Sequence, residues 1–197
     1  QQVALTTKGP QIVLSRASEE FVRKMFEAEI PEVGDGAVHI KAVAREAGSR
    51  SKVAVTTTDS QVDPIGACIG QRGTRIQTII SEIGGEKIDI IEWNEDPATF
   101  IGKALAPAKV NRVELNEEEK SALVHVNPDQ LSLAIGKGGQ NVRLAAKLTG
   151  WKINIAEIAA KPVEAETSQT SPQPSPLEGE GGVAAAAEPA VVETPAE

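Results

Sequence analysis

Two four-residue loops combine glycines and cations in a pattern suited to binding an anion. Gly70-Gln71-Arg72-Gly73 and Gly136-Lys137-Gly138-Gly139 each follow an isoleucine, Ile69 or Ile135, and each precedes a stretch with helical apolar spacing. A Gly-x-x-Gly loop between two helices does two physical things. Glycine accepts positive φ and, having no Cβ, lets a foreign backbone come close. The loop also points the free amides of the next helix, and its positive dipole end, at whatever lies there. That chemistry is anion binding, and a phosphodiester suits it. Arg72 and Lys137 add one cation to each loop, and Arg75 and Arg143, further along the following helices, are expected to extend each patch.

A single Gly-x-x-Gly is usually just a turn, so its repetition decides the reading. Ile69, Gly70, Gly73, Ile76, Ile79 and Ile80 each match a small or apolar residue 66 positions on. The Lys-Ile-x-Ile segments at 87–90 and 152–155 match at 65, because the first copy has one more residue in its Gly84-Gly85 turn. Self-similarity of this kind points to two copies of one structural unit.

Helices and strands flank both loops. Ser18 can cap a helix with Glu19 and Glu20 in its first turn and an apolar stripe of Phe21, Val22, Met25, Phe26 and Ile30, stopped by Pro31. Residues 38–42 and 52–56 alternate as short strands around a turn at 46–50. Residues 64–69 lead into the first loop. A helix with Ile76, Ile79, Ile80 and Ile83 follows, ended by Gly84, and then a strand at 87–91. The order restarts with Asp96 as cap, Pro97 at the first helical position, and Phe100, Ile101, Ala104 and Leu105 before Pro107. Strands at 109–115 and 122–126 come next, then 131–135, the second loop, a helix with Val142, Ala145 and Ala146 up to Gly150, and a strand at 152–155. Each unit reads helix–strand–strand–helix–loop–helix–strand, an α+β class with domains at 18–93 and 94–158. Residues 11–15 read as a strand ending a truncated domain at 1–17, and the start on Gln1 reads as a fragment lacking its N-terminal neighbours.

Composition narrows the function. Aromatics are 3% with no Tyr, which argues against base stacking on aromatic platforms. Of the net charge of −8, six units lie beyond residue 160, so the acidity describes the tail more than the folded part. The Ser/Pro/Gln-rich and Glu-bearing residues 159–197 are expected to be disordered. Solubility is the plain role for this tail, and competition with RNA for Arg72 and Lys137 is the sharper one. One cysteine, Cys68, is expected to be a small buried residue and excludes an intramolecular disulfide. His39 and His125 read as ordinary strand residues rather than metal ligands or catalysts, and no nucleophile–base pair or phosphate-binding Walker loop is present. No cofactor, no metal and no enzymatic activity are expected. The lack of an apolar run of spanning length predicts no membrane partner and a cytoplasmic location.

The segments 69–73 and 135–139, in this order, resemble the paired type II KH domains of the NusA family of bacterial transcription factors. So do residues 43–55 and 63–70 of the first unit, while residues 8–16 resemble the last strand of that family's S1 domain, an OB-type fold. The resemblance runs from residue 8 to residue 157. It implies two tandem type II KH domains, each clamping about four unpaired nucleotides. Phosphates would lie on the loops, and bases in grooves lined by Ile69, Ile76, Ile88 and Ile90, and by Ile135, Val142, Ile153 and Ile155. It further implies binding of nascent single-stranded RNA, association with the RNA polymerase elongation complex and other Nus factors, a monomeric chain, and a role in pausing, termination and antitermination. The other reading is a KH-fold scaffold that holds proteins without touching RNA.

Overall fold

Ser18 accepts a hydrogen bond from Phe21 N and opens α1 (Glu19–Glu29), whose Val22 and Phe26 are fully buried. Pro31 ends this helix as expected, but at a first helical position it also starts a one-turn helix, α2 (Pro31–Gly34). The computed structural model describes residues 2–158. The expectation of a disordered tail at 159–197 lies outside the described residues. N-terminal to α1, β1 (Gln2–Thr6) and β2 (Gly9–Val13) form an antiparallel hairpin, so the expected strand has a partner that the sequence reading did not assign.

The first domain continues with β3 (Val38–Glu46), β4 (Arg50–Thr57), α3 (Pro64–Ile69), α4 (Thr74–Ile83) and β5 (Lys87–Glu92). Both β3 and β4 run longer than period-two patterning suggested. A β-bulge between Ile40 and Ala42 interrupts the alternation in β3, and pairing continues to Glu46 and Arg50 across a three-residue turn. The second domain repeats the order with α5 (Pro97–Ala104), β6 (Val110–Asn116), β7 (Ser121–Val126), α6 (Pro128–Ile135), α7 (Gln140–Thr149) and β8 (Lys152–Glu157). In each sheet the first pair is antiparallel and the second parallel, in the orders β3-β4-β5 and β6-β7-β8. Helix–strand–strand–helix–helix–strand with this mixed sheet is the type II KH arrangement, twice.

The first core joins Val22, Phe26, Ile30, Val53, Val55, Cys68 and Ile79, all fully buried, between the helices and one face of the sheet. Burying one such aliphatic or aromatic side chain contributes about 1.5–3 kcal/mol. The second core is not confined to the second domain. It joins Phe100, Ile101, Leu105, Val124 and Leu144 to Ala44, Ala54 and Ile91, which lie on the outer face of the first sheet. Small residues there let α5 and α7 lie close. Lys52, fully buried on the same face, donates from Nζ to Ala106 O at 2.8 Å and lies 3.4 Å from Asp89 Oδ2. In the second sheet the registers that match Ala42–Ala54 and Ala44–Lys52 hold Arg112–His125 and Glu114–Leu123. The second sheet thus carries Arg112, Glu114 and His125 where the first sheet is packed, with Leu123 partly exposed among them.

Candidate nucleic-acid interface

The two glycine loops have the same backbone. Gly70 and Gly136 lie at φ 74°, ψ 175° and φ 74°, ψ 174°, a region open essentially to glycine alone. The third positions, Arg72 and Gly138, lie at φ 55° and φ 59°, and the fourth, Gly73 and Gly139, at φ 78° and φ 74°. In both, the fourth-position N–H bonds the first-position carbonyl at 3.1 Å. A Cβ on Gly136 would stand 2.8 Å from Asn141 Cβ, and one on Gly70 would stand 2.7 Å from Arg75 Cγ, so these glycines are needed for close packing inside the protein. A Cβ on Gly73, Gly138 or Gly139 would meet nothing within 4 Å. The outer side of each loop is therefore bare backbone, open to another molecule.

Each loop feeds a ten-residue helix, α4 or α7, whose N-cap is a left-handed glycine with no side-chain acceptor. The first turns thus have no side-chain cap, while Thr74 N donates to Gln71 O and Gln140 N to Lys137 O. Arg72 and Lys137 are exposed, and their side chains make no ion pair or hydrogen bond among the described residues. The two cations are placed differently. Arg72 occupies the third position of its loop and Lys137 the second.

Arg75 and Arg143, expected to extend the two patches, are both ion-paired within the protein, and they are not counterparts. Arg75 donates from Nη1 to both oxygens of Glu32 at 3.0 and 2.8 Å and to Ala67 O at 2.8 Å. Its own backbone hydrogen bond and Arg75 hold the Glu32 carboxyl below its ordinary value. Arg143 donates from Nε to Glu46 Oε1 at 2.6 Å, in the other domain. Position 66 beyond Arg75 is Asn141, which is buried and bonds Leu105 O, Leu133 O and Ala134 O. Matching the helices at that offset would have shown Asn141 as the partner of Arg75; apolar periodicity alone passed over it. Glu32, Glu46 and Gln140 also border the loops, and no motif singled them out. A cleft of about 560 Å³ opens beside the first loop, walled by Glu32, Ala67, Gly70, Gln71, Thr74 and Arg75.

The expected groove residues divide by exposure. Ile69 and Ile135 are 37% and 38% exposed just before their loops, available to a ligand. Ile88, Ile90, Val142, Ile153 and Ile155 are half-buried, packed against the cores at the sheet edges β5 and β8 and on α7. Ile76 is buried in the first core. Cys68 is fully buried as expected, and burial followed by the Glu32 charge pushes its thiol up to about 12. His39 is exposed, and His125 pairs across strands with Arg112, its Nε2 3.3 Å from Glu114 Oε1. No group of three or more metal-ligating side chains occurs among the described residues. None of their helices is long and apolar enough to cross a membrane.

Comparison with known proteins agrees with this geometry. The family description "NusA-like first KH domain" matches residues 16–93, and "NusA-like second KH domain" matches residues 97–162. Proteins named "Transcription termination/antitermination protein NusA" are similar over most of the chain. That of Bacillus subtilis is 57% identical over 154 residues, 78% of this chain and 42% of its own length. That of Thermus thermophilus is 54% identical over 157 residues, 80% of this chain and 41% of its own length. The chain thus spans about two fifths of the curated relatives it matches. A solved structure titled "Crystal structure of APE1850" shares the fold at 23% identity with a TM-score of 0.52, covering 70% of this chain and 97% of that one. With both domain descriptions matched in order and both glycine loops in one conformation, this chain belongs to the NusA family, as its tandem KH portion.

Proposed function

We propose that this chain is a non-enzymatic single-stranded RNA-binding module, in which each glycine loop holds the phosphates of a short unpaired segment. The observation that carries it is the duplicated loop. Two copies keep three positive-φ positions, a bare outer side and one unpartnered cation, features a packing turn would not need. Ile69 and Ile135 give each loop an exposed apolar neighbour for a base. In the setting its relatives' name describes, the ligand is nascent RNA, and the chain acts in pausing, termination and antitermination alongside RNA polymerase and other Nus factors, as a cytoplasmic monomer. The N-terminal hairpin exposes Val3, Leu5, Ile12 and Leu14, which supports its reading as strands of a larger S1-type domain.

Replacing Lys137 and Gly138 together with Asp puts carboxylates where phosphates should lie. Asp tolerates the left-handed backbone, so the fold should persist. RNA affinity measured by anisotropy should collapse while the melting temperature stays close to that of the parent chain. Affinity of the parent should also fall steeply with salt as counterions are released. Unchanged RNA binding by the Asp variant would remove the loop as the site and favour a protein-binding scaffold.

A further inference from the structure

The two loops match in backbone but differ in what stands beside them. Arg143, on the helix after the second loop, reaches Gly138 O with Nη1 at 3.5 Å while its Nε bonds Glu46 Oε1. Glu46 ends β3 of the first domain, and its other oxygen accepts from Gln140 Nε2 at 2.7 Å. Gln140 also donates to Ser49 Oγ at 2.7 Å, so the β3–β4 turn of one domain lies against the loop of the other. The residue 66 positions before Arg143 is Gln77, so the first loop has no cation at that helix position, and its own neighbouring pair, Arg75–Glu32, lies within one domain. The Arg143 side chain is 52% exposed and that of Glu46 22%, so the guanidinium lies at the loop edge within reach of solvent, already neutralised.

We propose that Glu46 is a mask on the second loop, its carboxylate holding Arg143 until an arriving phosphate exchanges for it. This rests on the reading of the loops as phosphate sites. The exchange is physically easy. An exposed ion pair is weak and screened by salt. A phosphate offers the guanidinium a two-pronged acceptor where Glu46 gives it a single oxygen, and it also meets Lys137 and the amides of α7. The bonds from Arg143 and Gln140 hold the Glu46 carboxyl below its ordinary value, so the mask is charged at neutral pH. Two consequences follow. The second loop favours a backbone path that brings one phosphate to both Lys137 and Arg143. Its occupancy also removes one of the bonds joining α7 to the β3–β4 turn, which couples RNA binding to the contact between the domains.

The test uses the whole chain and a labelled single-stranded RNA of about twelve nucleotides, long enough for two modules taking about four each. Glu46→Gln keeps shape and an acceptor for Gln140 but removes the charge. It should tighten RNA binding several-fold at low salt and steepen the dependence on log salt by about 0.7, because no freed carboxylate takes back the counterion that the phosphate releases. Arg143→Gln alone, leaving a bare carboxylate beside the loop, should weaken binding several-fold, and the double variant should return close to the parent. Glu46→Ser should show the same gain, with melting curves confirming an intact fold. Weaker or unchanged binding by Glu46→Gln, or a gain that persists without Arg143, overturns the mask. The Lys137→Asp/Gly138→Asp variant tells the two readings apart. If it loses RNA while Glu46→Gln shows no gain, only the mask has failed. If it still binds RNA, the loop reading has failed and the mask with it.

Discussion

Arg75 and Asn141 stand at the same point of the two repeats, 66 residues apart, and each turns its side-chain donors back onto carbonyls at the end of the helix before the loop. Both side chains also pack against the first glycine of their loop, the one that admits no Cβ. The same task, joining the two helices that flank the loop, is performed by a half-exposed guanidinium bound to Glu32 in one domain and by a buried amide in the other.

Asn141→Ala should therefore be the more damaging of the paired truncations. It leaves the carbonyls of Leu105, Leu133 and Ala134 without this donor in a buried place, an expected loss of about 2–3 kcal/mol. Arg75→Ala should cost less, because water can replace the donor at a side chain that is 35% exposed. Urea denaturation of both variants checks the order, and a larger loss for Arg75→Ala would contradict it.

The architecture was legible in the sequence because local signals agreed with the fold. Ser18 and Asp96 cap the helices they precede, Gly84 and Gly150 end α4 and α7 in left-handed conformations, and the Lys-Ile-x-Ile segments are the parallel strands β5 and β8. What was not legible depends on contacts between distant residues. Ala42, Ala44 and Ala54 look like plain strand residues, and only the packing of α5 and α7 on them explains why they are small. Arg75 and Arg143 looked equivalent as basic residues after a loop. Their partners, Glu32 and Glu46, lie 43 and 97 residues away, beyond any pattern of period or spacing. The loops themselves were found because their conformation needs glycine and so leaves its mark on residue type.

Beneath the β3–β4 turn, Glu86 and Arg45 form a buried pair. Arg45 donates to Glu86 from Nε and Nη2 at 3.0 Å, Gly48 N donates to Glu86 at 2.8 Å, and Ser51 Oγ adds a further bond. Burial pushes the Glu86 carboxyl up, but the bonds from Arg45, Ser51 and Gly48 outweigh it and leave it below its ordinary 4.5. A carboxyl with a folded value below its unfolded one contributes stability that is complete above the unfolded value and is lost as pH falls through the folded one. Stability should thus hold from neutrality down to about pH 5 and decline below it, and Glu86→Gln should flatten that decline. Arg45→Met, which strands the buried carboxylate, should cost about 3 kcal/mol at neutral pH. Denaturation midpoints measured across the acid range test both, and an acid slope unchanged by Glu86→Gln would show that other carboxyls control it.

Arg72 is a non-glycine residue at φ 55°, where the second loop has Gly138 at φ 59°. The left-handed backbone costs an arginine about 1–2 kcal/mol. The side chain gains nothing back inside the protein, since Arg72 makes no ion pair or hydrogen bond among the described residues. A strained residue whose side chain has no internal contacts points to use at its exposed end. Arg72→Gly separates the two properties. Glycine relieves the strain while adding about 0.5–1 kcal/mol of unfolded-chain freedom, so the melting temperature should hold or rise slightly. RNA affinity should fall, and the dependence on log salt should weaken by about 0.7 as one phosphate contact is lost. Arg72→Lys, keeping charge and strain, should recover most of the affinity without the gain in stability. Should Arg72→Gly bind RNA as the parent does, the first loop would hold its ligand through backbone amides alone.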